Sequence, residues 1–519
     1  MDELKHDWFN HTLIEPTGCN FCQGFIKGFS ASMCKICRIM VCNQHIDDIQ
    51  KLDNFKCRPM FIEEDSISHH WIQGNVTHTV KNGKCMYCEK TISKLLLLPN
   101  STTIKNWRCS WCERTVCEDC FSKKEDHGNC DLGSFAELKV DPRLAKPELL
   151  ANLPNEPLVV FVNNKSGGGQ GINIGRRMRQ RLHPIQVFDL FDEEGRPIGP
   201  RPGLQLFANN SIRVLIASGD GAISWPMDVV RQMREEGIIN HEKTIKFLTL
   251  PLGTGCDFSR ITGWGPGYEN EDIGPILEEI LNAKYVNMDR WRLTRYNLEE
   301  EVINQKSFIL YFSIGVSSEI MAELDKDRKA NPDKYNSRTG NKLQIGLKSL
   351  QKGWQQNYKN LADRVKIIVD DNEDDIPIID PKTQSIDLVN GPSYAAGTDL
   401  WGNQEHAEAK AVEEKKQYID DGMIEMLTHQ GVWDITLIKF GPNSATKVMK
   451  VRKVKFIFKD NDPIHLQYDG EALDQNGGSV EITHLEQVLV GAYNGDITGN
   501  RKKDRIETFK YCSQLDENN

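Results

Sequence analysis

The chain has no apolar run long enough to cross a bilayer. Its longest such stretches, PLVVFV (157–162) and LLLL (95–98), fall well short of the roughly 20 residues that span the hydrocarbon core. The opening MDELKHDWFN has neither the basic start nor the apolar stretch of a secretory leader, so a cytoplasmic chain with at most peripheral, reversible membrane contact is expected. Positive charge is also short. Lys and Arg number 64 against 74 Asp and Glu, a net charge of −10, which argues against a nucleic-acid partner because phosphate-backbone binding needs a basic surface. There is no GxxxxGK[ST] phosphate loop and no protein-kinase glycine loop with its catalytic loop. What is present is ordinary globular usage, 39% hydrophobic and 27% charged residues over 519 positions, enough for several domains.

Cysteine is nearly absent after residue 130, where only Cys256 and Cys512 occur, and abundant before it. The spacings are Cys19-x2-Cys22, Cys34-x2-Cys37, Cys42-x2-His45 and Cys57, then Cys85-x2-Cys88, Cys109-x2-Cys112, Cys117-x2-Cys120 and Cys130. Two residues between ligands let both side chains converge on one tetrahedral zinc, and without a secretion pattern thiolates are favoured over disulfides. Counting His6 and His70, each half of this region has eight ligands, enough for two zinc ions apiece and four in all. The halves, 6–57 and 70–133, resemble the tandem cysteine-rich modules of protein kinase C and diacylglycerol kinases. That resemblance implies the sets His6, Cys34, Cys37, Cys57 and Cys19, Cys22, Cys42, His45, followed by His70, Cys109, Cys112, Cys130 and Cys85, Cys88, Cys117, Cys120. The usual His-x2-Cys is inverted in the first module, and Cys117 replaces a histidine in the second. Pro16-Thr17, Phe25, Phe29 and Leu95 to Leu98 are candidates for dipping into a bilayer, but a module of this size is expected to spend such side chains on its own core.

After a Pro-containing linker, DPRLAKPELLANLPNEP (141–157), the pattern becomes strand, glycine-rich loop, helix. LVVFVN (158–163) runs into NKSGGGQG, RVLIA (213–217) into SGDG, and IKFLTL (245–250) into PLGTGCDF. Three apolar runs each ending in a small-residue loop describe a parallel α/β sheet with its ligand loops at the carboxyl edge. Glycines there let backbone N–H groups approach phosphate oxygens. Farther on, SFILYFSIG (307–315), VKIIVD (365–370), VWDITLIKF (432–440), VRKVKFIFK (451–459), PIHLQYD (463–469) and SVEITHLEQVLVG (479–491) read as strands of a second, β-rich lobe, with Asp469-Gly470 as a hairpin turn.

The stretches VNNKSGGGQG, SGDG, PLGTG, GWGPGY, DRW, YFSIGV, PSYAAGTDLWG, DDG and YDGE, in this order, resemble a eukaryotic diacylglycerol kinase of the small, two-finger epsilon type. The resemblance implies two zinc modules ahead of a two-lobed lipid-kinase fold, with an α/β nucleotide lobe at 158–290, a β-rich accessory lobe at 291–495 and a polar tail at 496–519. It also implies transfer of phosphate from ATP, with Mg²⁺, to diacylglycerol in a membrane. Asn163, Lys165, Ser166, Gly167, Gly168, Ser218, Gly219, Gly221, Gly253, Thr254 and Gly255 would line the nucleotide. Asp220, Asp257 and Asp289 would hold magnesium and its waters, Asp469 and Glu471 are the candidates for base and orienting partner, and Asp420 and Asp421 for a second, structural magnesium. The chain departs from the family at Ser218 (usually glycine), Ala222 (threonine), Cys256 (asparagine) and Ser317 (aspartate), and lacks the epsilon type's hydrophobic N-terminal helix. A weakly active lipid-binding scaffold and a sphingosine or ceramide kinase stay open as alternatives at this point.

Overall fold

The computed structural model describes residues 5–13, 17–49, 55–74, 83–92, 106–253, 255–331, 358, 360–372, 379–402, 416–431, 445–493 and 506–513. The expected strand at 432–440 and the apolar Leu95 to Leu98 lie outside these residues.

The three apolar runs that end in small-residue loops become neighbouring parallel strands, Leu158–Val162, Ile212–Ser218 and Ile245–Pro251, with Val187–Asp189 beyond the first. Leu158–Val162 is buried along its whole length, as an unbroken apolar strand covered on both faces should be. One face packs on a core containing Phe161, Ile216 and Phe247, the other on a core containing Val160, Leu215 and Leu248. The chain order reverses between Leu158–Val162 and Ile212–Ser218, and such a switch point opens a crevice at the carboxyl ends of the strands. The loops 163–169 and 218–221 face each other there, with the Asn163 side-chain amide 3.3 Å from Ser218 Oγ.

The expected division at residue 290 falls inside a strand. Lys284–Tyr296 is one continuous strand through that point, and Ser479–Ala492 returns from the second lobe to pair antiparallel with it and parallel with Ile245–Pro251. The nucleotide-side sheet is completed by residues far along the chain, because a long twisted strand belongs to two lobes at once. The second lobe is a six-stranded antiparallel sheet in the order Thr446–Val451, Ile424–His429, Ser385–Val389, Tyr311–Gly315, Pro463–Tyr468, Glu471–Asn476. Asp469-Gly470 forms the two-residue hairpin turn, with φ of 46° and 85°, the left-handed pair that such a turn requires. The described part of the C-terminal tail is not a loose polar segment. Thr508 Oγ1 donates to the Ile261 carbonyl, and Cys512 is buried in the first core.

Each cysteine-rich module contributes a three-stranded sheet, and both pack on the α/β lobe. The fully buried Arg58 donates to the Ser110 carbonyl and to the carbonyls of Arg179 and Leu182 at the end of helix Gln170–Arg181. A cation at a helix C-terminus satisfies carbonyls that have no partner within the helix. Arg181 also pairs with Glu113 at 2.7 Å, and Gln180 donates to the Cys34 carbonyl. The segment expected as a linker, 141–157, is packed rather than extended, with Leu150 buried and held by Asn210.

Candidate functional site

In the cysteine-rich modules, four sets bring their ligand atoms within 4.8 Å of one another: His6, Cys34, Cys37, Cys57; Cys19, Cys22, Cys42, His45; His69, Cys109, Cys112, Cys130; and Cys85, Cys88, Cys117, Cys120. Three or four thiolates with at most one imidazole is a zinc donor set, so the residues fit the metal. His70 is corrected to His69, whose Nδ1 lies 3.5 Å from Cys112 Sγ. Strand alternation explains the choice. Trp8 pairs with Cys34 and Trp71 with Cys109, and the ligand histidine lies two residues before each tryptophan, on the same face. His70 points the other way, and burial pushes its imidazole down to about 4. The shared His-x-Trp of both modules is the sequence signal that finds it. Phe25 and Phe29 do not fill the first core as expected. Phe29 is 85% exposed and Phe25 45%, because Ile26, Ile39, Val41 and the zinc ligands occupy the interior.

At the switch point the three glycine loops touch through main chain. A Cβ on Gly253 would stand 2.8 Å from Gly219 Cα, and one on Gly167 would stand 3.2 Å from the Leu252 carbonyl oxygen. Gly167 and Gly168 have φ of 65° and 64°, the left-handed region that glycine adopts without cost. The Asn163 side-chain oxygen accepts from the Lys165 amide, and the Asn163 carbonyl from the Ser166 amide. Lys165 itself leaves the loop: its Nζ donates to the Gly195 carbonyl at 2.6 Å and lies over the Phe191 ring. Thr254 lies outside the described residues.

The opening of helix Asp257–Ile261 is the centre of the site. Asp220 caps it, accepting from the amides of Asp257 (3.0 Å) and Phe258 (3.2 Å). Asp257 is buried and accepts from Ser393 Oγ at 2.5 Å and from the amides of Ala396 and Gly397. The two carboxylates converge over Gly255, where a Cβ would meet Asp220 Oδ2 at 3.1 Å and Asp257 Oδ2 at 3.3 Å. Desolvation and the facing Asp257 charge push Asp220 up to about 7, with Asp469 adding to the effect. Two carboxylates crowded over a glycine cradle, one of them reluctant to ionise alone, are suited to a divalent cation.

From the other lobe comes Asp469, at the hairpin turn. Its carboxylate accepts from the successive amides of Ile309, Leu310 and Tyr311, which is why the expected strand 307–315 breaks there into Val302–Phe308 and Tyr311–Gly315. Burial outweighs these donors and holds Asp469 at about 6. Glu471, one residue past the turn, reaches the phosphate-side loop: a Cβ on Gly221 would lie 2.7 Å from its Oε1.

Asp289, Asp420 and Asp421 do not join this group. Asp289 accepts from His484, Gln487 and the Gly422 amide. Lys450 pairs with Asp421 at 2.5 Å, and Asp420 accepts from the Ser513 amide. Around this pair the structure thus places one ammonium, which Asp421 shares with Glu425, and a backbone donor on Asp420.

Two family models match the chain, the diacylglycerol kinase catalytic domain over residues 157–292 and the diacylglycerol kinase accessory domain over 307–472, together more than half its length. The chain belongs to the diacylglycerol kinase family. The matched ranges coincide with the glycine loops and Asp257 on one side and the Asp469 turn on the other. Probable diacylglycerol kinase 3 of Caenorhabditis elegans is 28% identical over 100% of this chain and 67% of its own length. Human diacylglycerol kinase zeta is 27% identical over 94% of this chain and 57% of its own, and diacylglycerol kinase 2 of Arabidopsis thaliana 30% over 66% and 47%. The chain thus spans about half to two thirds of the length of these relatives. In family terms, the residues that sequence reasoning missed are Ser393, Ala396 and Gly397, which hold Asp257, and the 309–311 amides, which hold Asp469. The first three lie inside the PSYAAGT stretch; the amides leave no side-chain signature.

Proposed function

We propose that the chain is an ATP-dependent lipid kinase that phosphorylates diacylglycerol to phosphatidic acid. The observation that supports this reading best is the convergence of Asp220 and Asp257 over Gly255, opposite Asp469 and Glu471 from the second lobe. The lipid hydroxyl oxygen bonds to the γ-phosphorus of ATP as the bond to the ADP oxygen breaks, and the hydroxyl proton passes to a carboxylate. Asp469, at about 6, is poised to receive it near neutral pH. Magnesium held by Asp220 and Asp257 would offset phosphate charge. The loops 163–169 and 218–221 bind and orient the phosphates through backbone amides.

The four zinc sets support a chain with two zinc modules, the layout of the small epsilon type, and Phe29 and Phe25 provide an apolar surface for reversible docking on a membrane. Among the described residues no helix is long and apolar enough to cross one. A weaker catalyst is the second reading, favoured by Cys256, which holds the left-handed φ of 56° in the nucleotide loop where asparagine would sit at less cost. The test is transfer from ATP to diacylglycerol, sphingosine or ceramide in mixed micelles with zinc-loaded protein. Turnover on diacylglycerol alone is expected. Turnover on none of the three replaces the kinase by a scaffold.

A further inference from the structure

The turn 393–397 does more than clamp Asp257. Its residues Ala395, Ala396 and Gly397 have φ of 46°, 73° and 98°, a run in the left-handed region. Alanine is disfavoured there because its Cβ crowds the following carbonyl oxygen. Something must hold the turn in that shape. Outside the turn, Thr398 exchanges both main-chain hydrogen bonds with Tyr394. Inside the second lobe, Tyr394 is 2% exposed and its hydroxyl lies 3.2 Å from Ser313 Oγ and 3.1 Å from Gln467 Nε2, which donates to it. Ser313 stands two residues after Tyr311, whose amide holds Asp469, and Gln467 stands two residues before Asp469. The Tyr394 ring also packs on Tyr311 at 4.7 Å. One buried hydroxyl therefore joins the turn that grips Asp257 to both strands that carry and cradle Asp469.

We propose that Tyr394 is a positioning residue for phosphoryl transfer, whose hydroxyl sets the spacing between the Asp257 and Asp469 carboxylates across the two lobes. The proposal rests on the kinase reading above. Tyr394 touches the residues that hold both carboxylates, so its loss acts through them: substrates still bind, but the carboxylates no longer meet the reacting atoms in register.

The experiment is steady-state kinetics of the full, zinc-loaded chain with ATP, magnesium and diacylglycerol in mixed micelles, wild type against Tyr394→Phe. The phenyl ring keeps its packing on Tyr311. A fall in kcat of about tenfold is expected, with both KM values moving less than twofold, on the scale of one lost buried hydrogen bond. Ser313→Ala should lower kcat in the same way, and the double variant should fall short of the product of the two single effects, because both hydroxyls belong to one hydrogen-bonded group with Gln467. If Tyr394→Phe does not fold, Ser313→Ala carries the test. A wild-type rate in the variant, or a rise in KM at unchanged kcat, overturns the positioning role while leaving the kinase reading intact. An inactive wild type removes the kinase reading and this proposal together.

Discussion

The cysteine-rich modules and the catalytic cleft are both built to hold charge, yet by opposite means. In the modules every ligand is a side chain, and each set lies within one stretch of chain, the longest running from His69 to Cys130. In the cleft the carboxylates come from residues 220, 257 and 469, and most of what holds them is main-chain N–H. A side-chain ligand can be exchanged for another of equal donor chemistry, which is how the inverted Cys42-x2-His45 keeps its place. A backbone cradle cannot be exchanged residue by residue. It depends on the local path of the chain, and the left-handed run at 395–397 is its cost.

Chelation tests the comparison most severely. Because binding zinc supplies much of the folding free energy of such modules, a strong chelator should unfold residues 6–133 and remove four zinc ions, while the cleft keeps its own cooperative transition. Metal analysis together with limited proteolysis reads both. Modules that stay resistant to proteolysis without metal would show that packing, not ligation, holds them.

The cleft should instead answer to single charges. Asp220→Asn and Asp469→Asn are each expected to lower turnover by about a hundredfold or more with the fold intact, the scale of a lost acid–base or metal-positioning group. In the wild type the acidic limb of kcat should fall as pH drops through about 6, where Asp469 takes up a proton. The stability effect has the opposite sense. Asp220 in the folded state keeps a proton that the unfolded chain releases near 3.8, so as pH rises through the window from there to about 7 the native state loses stability. Magnesium-free Asp220→Asn should therefore gain more over wild type at pH 8 than at pH 5 in denaturant titrations. An equal difference at both values would place the Asp220 carboxylate in solvent.

The finest test separates two adjacent histidines. His69→Ala should lower the zinc content from four to three, and His70→Ala should leave four. The reverse result would undo the strand-register argument.

Much of the zinc region was legible because a thiolate has little other use at that spacing. Its one ligand error, His70 for His69, came from reading a ligand without the strand that presents it. The glycine loops and their carboxyl-edge location were legible for a similar reason: apolar run, small residues, helix is a pattern that only a parallel α/β sheet uses well. The acidic residues were legible as a set but not as roles. Asp220 and Asp289 look alike in sequence, and only the fold surrounds Asp289 with His484, Gln487 and the Gly422 amide, and gives Asp421 to Lys450.

By itself, then, the sequence determined the cysteine ligands of the modules, the apolar strands and the turn at Asp469-Gly470, since each depends on residue type and short-range spacing. The tertiary structure alone decided which carboxylates meet. It did so through the return of Ser479–Ala492 into the first sheet and through amides of 309–311 and 396–397. Every residue but proline carries the same N–H, so amides such as those of 309–311, which no glycine marks, leave no trace in the order of side chains.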